Sequence, residues 1–516
     1  MGGGLGFILL TFLSPDFTTH TQMTLFVLSV FLLLWAGWPR GAAPPAALTT
    51  LLPITLVVLL AFLLRLGNLE YAIHRHVDEL LSVDSVVQLR SDPYTPLLVP
   101  YQGVAAFPRL YAYIQLHTMP LFGATLTSLR LVSVILGTVG VAAVYRLALP
   151  DRRLGLLAAL LLATLPPHLH FSRLGLNNIA DPAFGTLALA FVLGERYILA
   201  GVMLGLTQYF YEGGRLLYPA LLLAWAALHP QRWRGWVRLL GVFVLVAAPV
   251  YLTLLMNDLP LAPRLNATSH GAEWTVEKFW RALTFFAWQD ASWFYGGAFV
   301  LAVPLVILGL FRWRDRVVRL AVLWLLITVL GNSLLRDPLE APRYVVAYPA
   351  LAVLMAAGVV QMGRWMAPYW RLPVTGVVVG GVMLLHTVYY FGVHIPWFLE
   401  EFRSPLLMDD IRFRTVDVPR NTHIHLITDE IVFPTDSLAY LQYVGHDSSV
   451  FITTIHPHEF NPELLDQLEP NRNHVFFVAR EHTGLQLMLA RSGLFEAPLG
   501  SPYGHGRYLM YHTPFR

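Results

Sequence analysis

The feature that most constrains this chain is a succession of apolar runs, each close to the length of one bilayer crossing and separated by short polar turns. The runs are Ala47–Leu66, Leu126–Leu149, Leu154–Phe171, Ala183–Glu195, Tyr197–Tyr211, Leu216–Leu228, Trp236–Met256, Phe294–Phe311, Val317–Leu335, Tyr344–Gln361 and Pro373–Val393. A span needs about 20 mostly apolar residues, fewer where neighbouring segments shield it. With no water to satisfy exposed amides, such runs must be helical. Charged residues make up only 13% of the chain, against about 25% in a soluble domain. These features predict a polytopic α-helical membrane protein with roughly twelve or thirteen transmembrane helices. A net charge of +3 over 516 residues offers no basic surface for nucleic acid, and the bilayer is the expected partner instead. With no cysteine, disulfides, thiolate metal sites and thiol nucleophiles are excluded.

The first 46 residues form a separate unit. Leu5–Leu13 lacks a basic flank and runs into Pro15 and Asp16 rather than a small-residue cleavage site, so it is not read as a secretory signal. With Met23–Trp38 it makes an N-terminal hydrophobic hairpin or an extra span. Residues 47–394 make the main membrane domain. The turns Asp151–Arg153, Gln231–Arg234, Arg312–Arg319 and Arg364 to Arg371, together with Arg40, fall on one side in alternation. By the positive-inside rule that side is cytoplasmic. Residues 395–516 change character. Short β-rich segments at Thr422–Thr428, His474–Ala479 and Arg507–His512 are interleaved with helical patterns at Ser437–Val444, Pro462–Leu468 and Leu485–Arg491. This predicts a small extracytoplasmic α/β domain.

The polar residues that insertion does not need gather in the outward turns. Asp78 and Glu79 follow the run Ala47–Leu66, at the start of the first of two amphipathic helices expected in a large outer loop. A carboxylate there also complements a helix dipole, which explains Asp78 without chemistry but does not call for Glu79. The turn Phe171–Pro182 carries Arg173 and Asp181, and Asp181 also suits the cap of the helix that Pro182 opens. Further turns carry Arg215 and Arg343-Tyr344. Single arginines at span ends can snorkel; several at outer ends point to an anion site, because guanidinium matches phosphate. Carboxylates and arginines facing one outward chamber suit transfer from a lipid-phosphate leaving group. A carboxylate deprotonates the acceptor, and arginines stabilise charge on the departing phosphate. His74, His76 and Asp78 are a weak candidate set for a divalent metal.

In Asp78-Glu79, the Arg173 to Asp181-Pro182 turn and Arg343-Tyr344 opening a late span, the sequence resembles the membrane-embedded GT-C glycosyltransferases. The group it resembles is family-39-like, with the protein O-mannosyltransferases and lipid A aminoarabinose transferases, over roughly Ala47 to Val393. The resemblance implies a GT-C-like fold and a polyprenyl-phosphate-linked sugar donor, with the acceptor left open. It makes Asp78 the catalytic base, Glu79 its positioning partner, Asp181 a second acid, and Arg343 with Tyr344 the lipid-phosphate site. Arg173 and Arg215 join that site on the outer-arginine reasoning alone. Two other readings stay open: an oligosaccharyltransferase using a lipid-pyrophosphate glycan, and a transporter or lipid-binding protein without catalysis. Transporters place charges nearer mid-membrane and show internal repeats.

Overall fold

The computed structural model describes residues 16–38, 48–69, 77–100, 107–262, 265–266, 269, 273–286, 302–401, 414, 418–428, 449–500 and 508–515. Its principal helices, in chain order, are α1 (Thr19–Gly37), α2 (Leu48–Leu66), α3 (Val77–Ser91), α4 (Leu110–Phe122), α5 (Leu126–Leu147), α6 (Arg152–Thr164), α7 (Ala180–Leu193) and α8 (Tyr197–Leu206). They continue with α9 (Glu212–Ala227), α10 (Trp233–Met256), α11 (Val276–Thr284), α12 (Ala302–Leu310), α13 (Arg316–Ser333), α14 (Tyr348–Trp365) and α15 (Pro368–Val388).

Among the described residues, 6 helical segments are long and apolar enough to cross a membrane: Thr19–Gly37, Leu126–Leu147, Pro230–Met256, Arg316–Ser333, Ala341–Trp365 and Pro368–Phe398. Most other expected spans are present as shorter helices. Their sequences give the cause. The run Leu154–Phe171 breaks after Thr164, where Pro166 and Pro167 end α6 and open a short helix, Pro166–Phe171; proline removes a ladder donor and clashes with the preceding turn. The run Ala183–Glu195 closes at Gly194, with Glu195 in the left-handed region. Such short helices are tolerated because α6 and α7 are largely buried among their neighbours. Leu52, Leu59 and Leu63 of α2 and Val237, Leu240 and Val244 of α10 stay exposed, as lipid-facing side chains do and as a soluble surface would avoid.

The two ends of the bundle differ in chemistry. At one end the basic turns meet. Arg312 pairs with Asp151 at 3.6 Å and with Asp315 at 2.5 Å, and Arg232 pairs with Glu195. There Arg316 also donates to the Leu193 carbonyl at 3.3 Å. At the opposite end lie the turn before α7, the start of α9 and the turn Ala341–Ala347 before α14. Helix α1 runs the length between them. Its first residue donates to the Thr95 carbonyl at 2.6 Å beyond α3, and its last, Gly37, abuts Ile198 of α8. The two helices expected in the first large loop are present as α3 and α4.

The C-terminal domain carries strands β1 (Thr422–Ile427), β2 (Val450–Ile455), β3 (Asn473–Ala479) and β4 (Tyr508–His512) in the order β2-β1-β3-β4. β1 is parallel to β2 and β3, and β4 closes the edge antiparallel. Parallel neighbours require crossover connections, and the helix Thr483–Arg491 packs Leu489 against one face of the sheet. The expected strands at Thr422–Thr428 and His474–Ala479 and the last strand are found. β2 was not anticipated, and the expected helix Ser437–Val444 lies outside the described residues.

Helices α12 and α14 approach closely through two glycines. A Cβ on Gly358 would run into the Leu305 carbonyl, and one on Gly309 into the Leu354 carbonyl. Small residues at such a crossing let backbones touch. Gly358→Leu is expected to cost about 1–3 kcal/mol or more by overpacking, read as a lower melting temperature in detergent. Gly241→Leu, where nothing lies within 4 Å of the added Cβ, should leave it unchanged.

Candidate active site

The end of the bundle opposite the basic turns is built around Glu79, which is buried to 1% exposure on the first turn of α3. Arg130 of α5 meets it in a forked pair, Nε donating to Oε1 at 2.8 Å and Nη2 to Oε2 at 2.8 Å. The Gly175 amide donates to the same Oε1 at 2.5 Å. Arg130 also donates from Nη1 to the Leu69 carbonyl at 2.7 Å, just past the end of α2. One ion pair therefore fixes the start of α3, the end of α2, α5 and the turn before α7. Gly175 packs closely there, since a Cβ would stand 3.1 Å from the Glu79 carboxylate. Gln115 of α4 completes the knot, donating to the Leu129 carbonyl at 3.0 Å.

Asp181 holds the next turn. Its Oδ1 accepts from the Tyr211 amide at 3.2 Å and its Oδ2 from the Gly214 amide at 2.6 Å. A carboxylate thus caps the N-terminus of α9, where free amides and the helix dipole favour negative charge. The cap expected for its own helix is made to a different one. Gly214 must be glycine, since a Cβ there would overlap the Asp181 side chain. Arg215 follows on α9, donating from Nε to the Gln208 carbonyl at 2.7 Å with its guanidinium 5.5 Å from the Phe107 ring. Glu212 accepts from the Leu265 amide at 2.8 Å.

The turn Ala341–Ala347 closes the group. Tyr218 of α9 donates to the Val346 carbonyl at 3.1 Å. Tyr344 is fully buried, stacked on Phe285 at 3.7 Å, and its hydroxyl donates to the Pro338 carbonyl at 2.6 Å. Arg343 keeps 14% of its side chain exposed; it pairs with Glu340 at 2.7 Å and donates to the Asp337 carbonyl at 2.8 Å. Arg173 lies deeper. It donates to the Leu64 and Arg65 carbonyls at 2.9 and 3.1 Å, capping the C-terminus of α2, with its guanidinium 5.9 Å from Tyr390 and 5.4 Å from Phe391. A π-helical turn at Tyr389–His394 brings His394 within 3.2 Å of His170 beside it.

The structure thus gathers the turns bearing Glu79, Arg173, Asp181, Arg215, Arg343 and Tyr344 at one end. Asp78 opens α3 beside Glu79, and its side chain lies outside the described residues. His74 and His76 lie outside them too, so the candidate metal set with Asp78 falls beyond what is described. Sequence reasoning missed Arg130 and Arg65. Both sit inside apolar runs, and Arg65 donates to the Ala61 carbonyl at 2.8 Å and meets His168 at 2.9 Å. Charge within a span is the signal that could have found them.

Residues 107–256 match the family described as dolichyl-phosphate-mannose-protein mannosyltransferase. The whole architecture is similar to ArnT from Cupriavidus metallidurans in the apo state, with a TM-score of 0.57 at 13% identity over 90% of this chain and 97% of that one. ArnT from the same organism bound to undecaprenyl phosphate gives 0.58 at 12% identity over 90% and 98%. No curated protein matches in sequence. The protein is therefore a polytopic α-helical membrane protein that shares the fold of ArnT and carries a small C-terminal α/β domain.

The forked pair generates a stability test. Breaking a buried ion pair from one side leaves an uncompensated charge and costs about 3–5 kcal/mol. Arg130→Met is expected to lose that much, seen as a lower melting temperature and less monodisperse protein. Adding Glu79→Leu should restore most of it, since the lone carboxylate is then gone. Additive losses in the double variant would show that the two side chains are not coupled.

Proposed function

We propose that the protein transfers a sugar from a polyprenyl-phosphate donor to an acceptor hydroxyl or amine at the outer face of the membrane. The observation that carries this reading is the convergence of acidic and arginine-bearing turns at the bundle end away from the basic turns. The likeness to an ArnT fold holding undecaprenyl phosphate supports the donor class. The division of arginines between the two ends supports the orientation, with this end and the C-terminal domain outward.

In this proposal each group has a separate task. The acceptor oxygen or nitrogen attacks the anomeric carbon on the face opposite the phosphate, inverting that centre. Its proton passes to the Asp78 carboxylate. The bond from the anomeric carbon to the phosphate oxygen breaks, and its electron pair leaves with the phosphate. Arg343, partly exposed beside Tyr344, receives that charge. Buried Arg173 and Arg215 add positive potential from within the bundle, where the low dielectric strengthens it. Glu79 acts through the fold as a positioning residue, since Arg130 and Gly175 occupy its two oxygens. Asp181 places Arg215 by capping α9.

Two measurements test the assignment. Asp78→Asn is expected to lower turnover about 10²–10⁴-fold while donor binding, followed by displacement of a labelled polyprenyl phosphate, is kept. Unchanged turnover would remove Asp78 as the base. Arg343→Ala should weaken donor affinity, and Glu340→Gln should strengthen it by removing the carboxylate that competes for the guanidinium. If neither substitution moves donor affinity, the phosphate is held elsewhere.

A further inference from the structure

The C-terminal sheet places three imidazoles on one face. His423 and His425 alternate on β1, and His474 lies directly across from His423 on β3. With a strand period of two, residues 423 and 425 point the same way; the intervening Ile424 belongs to the core on the other side. One nitrogen from each ring can be chosen so that all lie within 4.8 Å of one another. We propose that His423, His425 and His474 bind a divalent late first-row cation, with Zn²⁺ the expected occupant.

The chemistry of the rings matches that ligand. His474 Nε2 stands 3.1 Å from the Glu469 carbonyl, which can only accept, so Nε2 carries the proton and Nδ1 presents its lone pair. A backbone carbonyl fixing the remote ring nitrogen is the usual outer partner of a metal-binding histidine. Nδ1 of His474 and Nε2 of His425 are already 3.3 Å apart. Two ligands on one tetrahedral Zn²⁺, with Zn–N of about 2.0–2.1 Å, stand about 3.3 Å apart. His423 is oriented by Thr453 of β2, whose hydroxyl is 2.7 Å from its Nε2. His425 is 2% exposed and stacked on Phe476 at 4.2 Å, while half-buried His423 supplies the way in. Arg472 and Glu469, the charges nearest the rings, pair with each other at 3.3 Å.

Neutral imidazole, with one lone pair per ring, is the form that binds a metal. Three imidazoles select Zn²⁺, Cu²⁺ or Ni²⁺ over Mg²⁺ or Ca²⁺. Water is left to fill the fourth position.

The test uses the full-length protein in detergent, freed of any histidine tag, stripped with EDTA and titrated with Zn²⁺ by calorimetry. Binding of one Zn²⁺ per chain is expected, with Co²⁺ giving tetrahedral visible absorption. His423→Gln and His474→Gln should each weaken binding by more than the roughly 10–100-fold lost with an outer-shell partner. His458→Gln, exposed in the same domain, should have no effect. Far-ultraviolet circular dichroism of the variants separates lost binding from lost folding. Absence of Zn²⁺ binding in the unaltered chain would overturn the proposal. So would binding that survives His423→Gln and His474→Gln but is lost in His74→Gln or His76→Gln, which would move the ion to the membrane domain.

Discussion

The Glu79–Arg130 pair is the contact on which the rest of this end depends. Two charges in a low-dielectric interior carry a desolvation cost that their attraction offsets only with near-ideal geometry and every remaining donor and acceptor engaged. Here the geometry is forked, the Gly175 amide adds a bond to the carboxylate, and the Leu69 carbonyl takes a further donor of the guanidinium. Satisfying both ions thus requires α2, α3, α5 and the turn before α7 to meet in one arrangement. The pair specifies a geometry more than it adds stability. Asp78 inherits that geometry as the adjacent residue on α3.

The same logic recurs around it. Asp181 satisfies free amides at the start of α9, and Arg173 satisfies free carbonyls at the end of α2. Each charge serves a helix end belonging to another segment, so helix ends left unsatisfied by their own sequence become the joints of the fold. Glycine is needed at the Gly214 joint because the Asp181 carboxylate sits where a Cβ would stand, and Gly175 lets the Glu79 carboxylate approach closely. The polar residues of the outer turns therefore do much of their work as architecture. A short loop rich in Arg, Asn and Asp is as much a fastening as a reactive surface.

That division explains what could be read from the chain. Apolar runs and the change of composition near residue 395 are local, and local signals predicted the helical membrane fold and the α/β domain. Three strands of the C-terminal sheet were legible because Thr422–Ile427, Asn473–Ala479 and Tyr508–His512 are apolar-rich. β2 was not, as its residues Val450–Ile455 are half exposed and polar threonines interrupt them. The identity of partners is non-local. Glu79 lies 51 residues from Arg130 and 96 from Gly175, so nothing near Glu79 named either. Arg130 was hidden for the opposite reason, since an arginine within an apolar run looks like an interruption until its carboxylate is found. The strand histidines carried a visible signal in the alternation His423-Ile424-His425, but their third member arrives only through the parallel pairing of β1 with β3.

Occupancy of the carboxylates bears directly on which of them can act as a base. A general base needs an oxygen able to take a proton from the acceptor, and every hydrogen bond it already accepts lowers its basicity. Glu79 accepts from a forked guanidinium and an amide, and Asp181 from two amides, one on each oxygen. Protonating either would weaken those bonds and the joints they make. The proposed mechanism gives the proton to Asp78 instead, whose neighbour supplies the anchor. An acidic pair then makes physical sense as a division of labour, one carboxylate holding the helix and the other serving as base.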